Sequence, residues 1–271
     1  MTLPIKKIYI DTRFKTNDSV SNSNFKIDLG QSLLFPENSV FYIDDICIPH
    51  SWTTVEAFNN KLDFRVIGQS INPTDHIITL SSQLYTGTTL ATEIKDKLTV
   101  LGYTPNVIYF PQKHQISISI SAYSFKFLTD SELKNPNPTW TGVAYDSNNL
   151  QSANEIIKNT DNISTTYNNA SPYLAYIDLQ PIRNIYIHSS LGNFNTLTCN
   201  GQTSVVKKVP VSSNFNEMII DQVMSSNDFG DCSNQTLRTI SFQLKDVANN
   251  YIPMRSNLSF SIVFSRMSAG M

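Results

Sequence analysis

The sequence predicts a mainly β protein, an eight-stranded jelly-roll β-sandwich built from both chain ends with a smaller α+β module inserted into it. Three observations predict this class. Three strand-like runs fill roughly residues 6–49 and five more fill roughly 183–267. Together they match the strand count of a jelly roll. The stretch between them differs in character, with one amphipathic helix and a long polar loop. Composition agrees: apolar residues are 40 % and charged residues only 15 %, against about 25 % in ordinary domains. Ser, Thr, Asn and Gln make up the polar share, as in turn-rich β proteins that assemble. Residues 1–58 and 182–271 are therefore assigned to a discontinuous jelly-roll domain, and 59–181 to the insert.

The N-terminal block supplies three strands. In residues 6–12, Ile8 and Ile10 alternate with polar neighbours, the period of a strand with one buried side. A polar turn, Thr16–Ser23, separates it from a strand in which Phe25, Ile27 and Leu29 alternate with Lys26 and Asp28. Gly30 and the Pro36-Glu37-Asn38 turn signal end that strand. Residues 39–49 are apolar on both faces, which predicts a central strand covered on both sides. Pro49 ends it, since proline cannot donate to a ladder. The C-terminal block reads as strands at roughly 183–190, 204–212, 217–223, 238–246 and 258–267. Ile240, Phe242, Leu244 and Leu258, Phe260, Ile262, Phe264 are the inward sets of the last two.

The insert reads as β-β-α-β-β. Leu62, Phe64, Val66 and Ile77, Ile78, Leu80 mark two strands around Asn72-Pro73-Thr74-Asp75. Leu90, Ile94, Leu98 and Leu101 recur at helical spacing and predict a helix over 89–100, with Thr88 as N-cap and Gly102 as the stop. Residues 106–111 and 115–120 form a hairpin in which Ile116, Ile118 and Ile120 alternate with serines. Two capping-box patterns, Thr129–Glu132 and Ser152–Glu155, predict short helices. Residues 135–171 read as a long loop, of the kind that is functional or ordered by a partner.

Residues that carry chemistry are sparse. No nucleophile elbow, P-loop or dinucleotide fingerprint is present. The histidines, His50, His76, His114 and His188, are too far apart in sequence for a local zinc motif. Each is expected to be satisfied or exposed, although His50 and His188 flank the insert and the fold decides whether they meet. Asp44 and Asp45, as adjacent strand residues, are expected to point to opposite faces and so not to share a metal or a proton. One is expected at solvent or an interface, the other bonded to backbone or to Lys or Arg. Lys6-Lys7 and Lys207-Lys208 read as solvated strand edges, with an interior patch near packaged nucleic acid as the sharper alternative. Trp52 reads as a packing anchor at the domain junction, with a sugar-stacking platform as the alternative. Cys47, Cys199 and Cys232 have neither CxxC nor zinc-finger spacing, and reduced thiols are expected. A net charge of −2 predicts no broad nucleic-acid or membrane footprint. No apolar run reaches signal-peptide or transmembrane length. No catalytic, cofactor-binding or metal-binding residue is assigned, no cofactor is expected, and the chain is expected not to be an enzyme.

Several segments together resemble a known family. They are Tyr9–Thr16, Asp18–Phe25, Tyr42–Trp52, Asn59–Leu62 and Ser152–Ile156, then Val205–Ser213 and Gln235–Ile240. The chain resembles the penton, or minor capsid, proteins of Polinton-like viruses, adintoviruses and virophages. The resemblance spans nearly the whole chain and is weakest in the insert. It implies a jelly roll that assembles as a homopentamer at icosahedral vertices, with a double jelly-roll major capsid protein as its other partner. It implies a virion location after synthesis in the host cytoplasm or nucleus and no enzyme activity, while hydropathy and net charge separately predict no membrane span and no specific nucleic acid. Thr16–Ser23, loop 135–171 and the C-terminal strand are the candidate assembly surfaces. A receptor- or glycan-binding spike or fibre module, acting through the insert, is the alternative. A hydrolase with an unrecognised site is the third reading, disfavoured by the lack of clustered His, Asp and Glu.

Overall fold

The computed structural model describes residues 4–68, 74–128, 156, 166–191, 196–199, 201–222 and 229–266. In chain order the first elements are β1 (Pro4–Asp11), β2 (Asn24–Leu34), β3 (Ser39–Pro49), β4 (Lys61–Ile67) and β5 (Thr74–Thr79). Next come the helix α1 (Gly87–Val100), β6 (Pro105–Phe110), β7 (Gln115–Ile120), β8 (Ser124–Phe127) and β9 (Tyr173–Tyr176). The last are β10 (Asn184–Ser189), β11 (Val205–Pro210), β12 (Met218–Asp221), β13 (Gly230–Asp231), β14 (Thr236–Lys245) and β15 (Ser259–Arg266). The chain divides into two compact units, Met1–Trp52 with Ile182–Met271, and Thr53–Pro181.

The first unit is a jelly roll, and its strand order decides that. One sheet runs β1-β15-β3-β12, with β13 also paired to β3, and the other runs β11-β10-β14-β2. Counted along this unit, the first sheet holds strands one, eight, three and six, and the second holds five, four, seven and two. Every pairing is antiparallel. This is the arrangement of two interlocked Greek keys. Inward side chains from both sheets fill the space between. Phe242 of one sheet meets Phe260 of the other edge-on at 5.0 Å, and Phe35 stacks on Phe264 at 4.3 Å. Burial of so many aromatic rings is the main stabilising term, since each removes a large apolar area from water.

β3 departs from the expected pattern. It is central, between β15 and β12, but its solvent face is only half covered. Phe41 and Ile43 point inward, and so do Ile46 and Ile48. The phase therefore changes between Ile43 and Ile46. The ladder with β15 shows why: Phe260 faces Ile46 and Ile262 faces Ile43, so Asp44 and Asp45 together oppose Ser261. This is a β-bulge. What reads in sequence as a run apolar on both faces is largely a pair of one-faced runs, set out of step by the bulge.

The second unit has its own core. Its sheets are β5-β4-β8 and β6-β7-β9, with α1 packed mainly on β6. The helix buries Leu90, Ala91, Ile94 and Leu98, one stripe at helical spacing. The cap is Thr86, not Thr88: its side chain accepts from Thr89 N while Thr89 Oγ1 accepts from Thr86 N, a reciprocal capping box. Gly102 follows the helix with φ +88, as a left-handed stop requires. Beyond the expected β-β-α-β-β, two short strands appear, β8 on β4 and β9 on β7. The capping-box patterns at 129–132 and 152–155 lie outside the described residues, as does most of 135–171. Within that loop Ile156 is buried in the insert core, and Tyr167 forms a bridge to Phe125.

Candidate functional site

The segment between β1 and β2 is a candidate assembly surface that lies wholly within the described residues. Asp11 accepts from Arg13 N at 2.9 Å and holds the Arg13 guanidinium through both carboxylate oxygens. That pairing keeps the Asp11 carboxyl below the usual carboxylate range. Thr16 N donates to Lys26 O, and Val20 N and Ser21 N both donate to Asn24 O. Lys26 pairs with Asp18 at 2.6 Å, and Asn22 Nδ2 reaches Ser256 O at 3.1 Å. This closed network holds two apolar side chains in water: Phe14 is 77 % exposed and Val20 80 %. A pre-ordered turn loses little conformational entropy when a partner covers it. The sequence points to the turn Thr16–Ser23 but singles out neither of these residues; the signal that could have found them is Val20 inside that polar turn and Phe14 just before it. By contrast, β15 pairs on both sides, with β1 and β3, so the C-terminal strand offers no free ladder edge over its described length.

Asp44 and Asp45 share a face, contrary to the expectation from simple alternation, because the bulge absorbs one residue. They still do not form a carboxylate pair. Asp44 bonds Lys7 Nζ at 2.5 Å, and Asp45 accepts from the Ser261 hydroxyl. His50 and His188 are not brought together through any shared partner. His50 Nδ1 contacts Ser213 O at 2.9 Å and its ring lies 4.3 Å from that of Trp52, which is buried. His188 Nδ1 contacts Ser204 Oγ at 2.9 Å. His76 Nε2 contacts Tyr103 Oη at 2.7 Å, and His114 Nδ1 contacts Tyr109 Oη at 3.1 Å.

The lysine doublets split. Lys6 is exposed, while Lys7 engages Asp44. Lys208 is exposed, but Lys207 is buried and lies 3.8 Å from Asp221, whose side chain is also mostly covered. β11 and β12 are edge strands of opposite sheets, so this ion pair closes one open end of the sandwich. The solvated-edge expectation therefore fails for Lys207, because strand alternation turns it inward beside Val209. All three cysteines are free, and burial pushes the Cys232 thiol up to about 12. Among the described residues no group of three or more His, Cys, Asp or Glu could hold a metal ion, and no helix is long and apolar enough to cross a membrane.

No family model and no curated protein matches the chain. In three dimensions it is similar to the crystal structure of the selenomethionine-labelled mavirus penton protein. The identity is 12 %, the TM-score is 0.49, and the alignment covers 97 % of this chain and 100 % of that one.

Proposed function

We propose that this chain is a penton, a minor capsid subunit that forms homopentamers at the vertices of an icosahedral capsid and meets a double jelly-roll major capsid protein there. One observation carries the proposal. The two terminal blocks with the strongest family resemblance, Tyr9–Trp52 and Val205–Ile240, are the blocks that interleave into one jelly roll. Its role is assembly rather than turnover, and its place is the virion. A closed ring needs heterologous contacts, one patch meeting a different one on the neighbour. The turn bearing Phe14 and Val20 supplies one such patch. Light scattering or native mass spectrometry of the pure chain tests this, a pentamer having five times the 30.5 kDa subunit mass. A strictly monomeric species at high concentration, absent from purified virions, overturns it.

A second reading, glycan or receptor binding through the insert, is favoured by one feature. A groove of about 540 Å³ is lined by uncharged residues, among them Tyr123, Ser124, Asn168 and Asn169. Aromatic and amide groups in an uncharged groove suit hydroxyl-rich ligands. Full-length protein on a glycan array, with Tyr123→Ala beside it, tests this reading: signal lost in the variant supports it, and no signal from either removes it.

A further inference from the structure

A closed ring needs a second patch for the turn that carries Phe14 and Val20 to meet, and the strand register locates one. The Lys207–Asp221 pair puts β11 and β12 on one flank of the jelly roll. The opposite edges of the same two sheets, β1 and β2, form the other flank. Residues 12–23 join β1 to β2, and residues 211–217 join β11 to β12. Both connections stand at the same end of the sandwich. Asp11 pairs with Ser259, Ser259 with Cys47 and Cys47 with Ile220, so one row of the sheet runs from the last residue of β1 across to β12. Three strand spacings, about 14 Å, separate the two flanks.

The 211–217 connection is tied down like the turn on the other flank. Asn216 N donates to His50 O at 2.8 Å, His50 N to Glu217 O at 2.9 Å, and Asn214 N to Glu217 Oε2 at 2.8 Å. It leads into an outer face of β12 that holds apolar side chains in water. Met218 is 45 % exposed and Ile220 59 %, while Ile219 between them points into the core; Phe215, in the connection itself, is exposed as well. We propose, on the reading that the chain forms rings, that this face is the socket for the turn: Phe14 and Val20 of one copy pack on Phe215, Met218 and Ile220 of the next. A cyclic operator carries no translation along its axis, so patches that meet around a ring lie at one height along it. Two patches at one end of a sandwich, on opposite flanks, satisfy this when the strands run along the axis. Phe, Met and Arg are also residue types that interfaces favour over the rest of the surface. Charge agrees at the rim. Asp11 takes Nε and Nη2 of Arg13 and leaves Nη1, and Asn214 takes Oε2 of Glu217 and leaves Oε1. The turn thus exposes a cation and the socket an anion.

The test uses the purified full-length chain and native mass spectrometry. Ile220→Glu is expected to leave the circular dichroism spectrum unchanged and to abolish rings. Leu34→Glu, also exposed but at the far end of β2, is expected to keep them. A second measurement reads adjacency directly. In a Cys47→Ala, Cys199→Ser background only the buried Cys232 remains. Val20→Cys and Met218→Cys together, treated there with a short bis-maleimide, are expected to give a ladder of covalently linked subunits. Either cysteine alone should stay at subunit mass, because a heterologous contact does not set a position beside itself. Rings that form in Ile220→Glu as in the parent, or that are lost in Leu34→Glu as well, overturn the inference and leave the capsid reading standing. So does a ring-forming double-cysteine variant that gives no ladder. A parent chain that never forms rings removes both.

Discussion

Two glycines carry different consequences for the same substitution. A Cβ on Gly230 would stand 2.5 Å from ring carbons of Phe41, which is 2 % exposed and locked in the jelly-roll core. A Cβ on Gly87 would stand 2.3 Å from the outer edge of the Tyr109 ring, which is partly exposed but packs against the insert core, so that ring would have to shift. Gly230→Ala is therefore expected to destabilise by about 1–3 kcal/mol through overpacking. Gly87→Ala displaces the outer edge of that ring and its contact with His114 but gains helix propensity of up to about 1 kcal/mol, so it should cost less than Gly230→Ala. Urea unfolding followed by circular dichroism separates the two. The histidines set a pH dependence. Burial is the main cause that lowers the pKa of both His76 and His188. The unfolded chain then binds more protons than the native state below the ordinary value of about 6.5. Stability from this source is present above that pH and is lost as pH falls through it toward the lower native value. The melting temperature should drop between about pH 7.5 and 5.5, and a His76→Phe variant should show a shallower drop.

At the scale of elements, the helix cap separates two threonines that look alike in sequence. Thr86→Ala removes a reciprocal capping box and is expected to cost about 1 kcal/mol. Thr88→Ala, inside the first turn with an exposed side chain, removes no cap bond and is expected to be neutral or to gain a few tenths of a kcal/mol. Denaturant midpoints of the two variants check this; equal losses would contradict the cap assignment. The eight jelly-roll strands were all legible in advance because alternation is a local signal, written every two residues. The additional strands β8 and β9 were not, since four residues carry too little alternation to stand out from a loop. The bulge at Asp44-Asp45 was invisible for another reason. The shift of apolar phase from Ile43 to Ile46 can be written in one strand, but Tyr42 and Cys47 fill the other face with apolar residues and hide it, so the bulge shows only against its partner, here Ser261.

For the whole molecule, the testable consequence is assembly. Val20→Glu places a charge on an exposed turn whose backbone bonds do not involve that side chain. The variant is expected to fold with an unchanged circular dichroism spectrum and to fail to form rings, seen as subunit-mass particles by light scattering. If the parent is a ring, its melting temperature should also rise with protein concentration, whereas that of Val20→Glu should not.

The amino-acid sequence by itself determined where the strands lie, that they cluster at the two chain ends, and that a helix-bearing module with its own apolar stripe stands between them. Each of these follows from periodicity within a dozen residues. Only the tertiary structure decided which strands pair, because a ladder joins residues that local patterning does not connect, as Tyr9 meets Ser261 and Phe25 meets Phe242. It also decided that Lys207 turns inward to Asp221 while Lys208 stays in water, and that His188 is buried beside Ser204. Those outcomes depend on what packs across from a residue, and nothing in its neighbours along the chain records that.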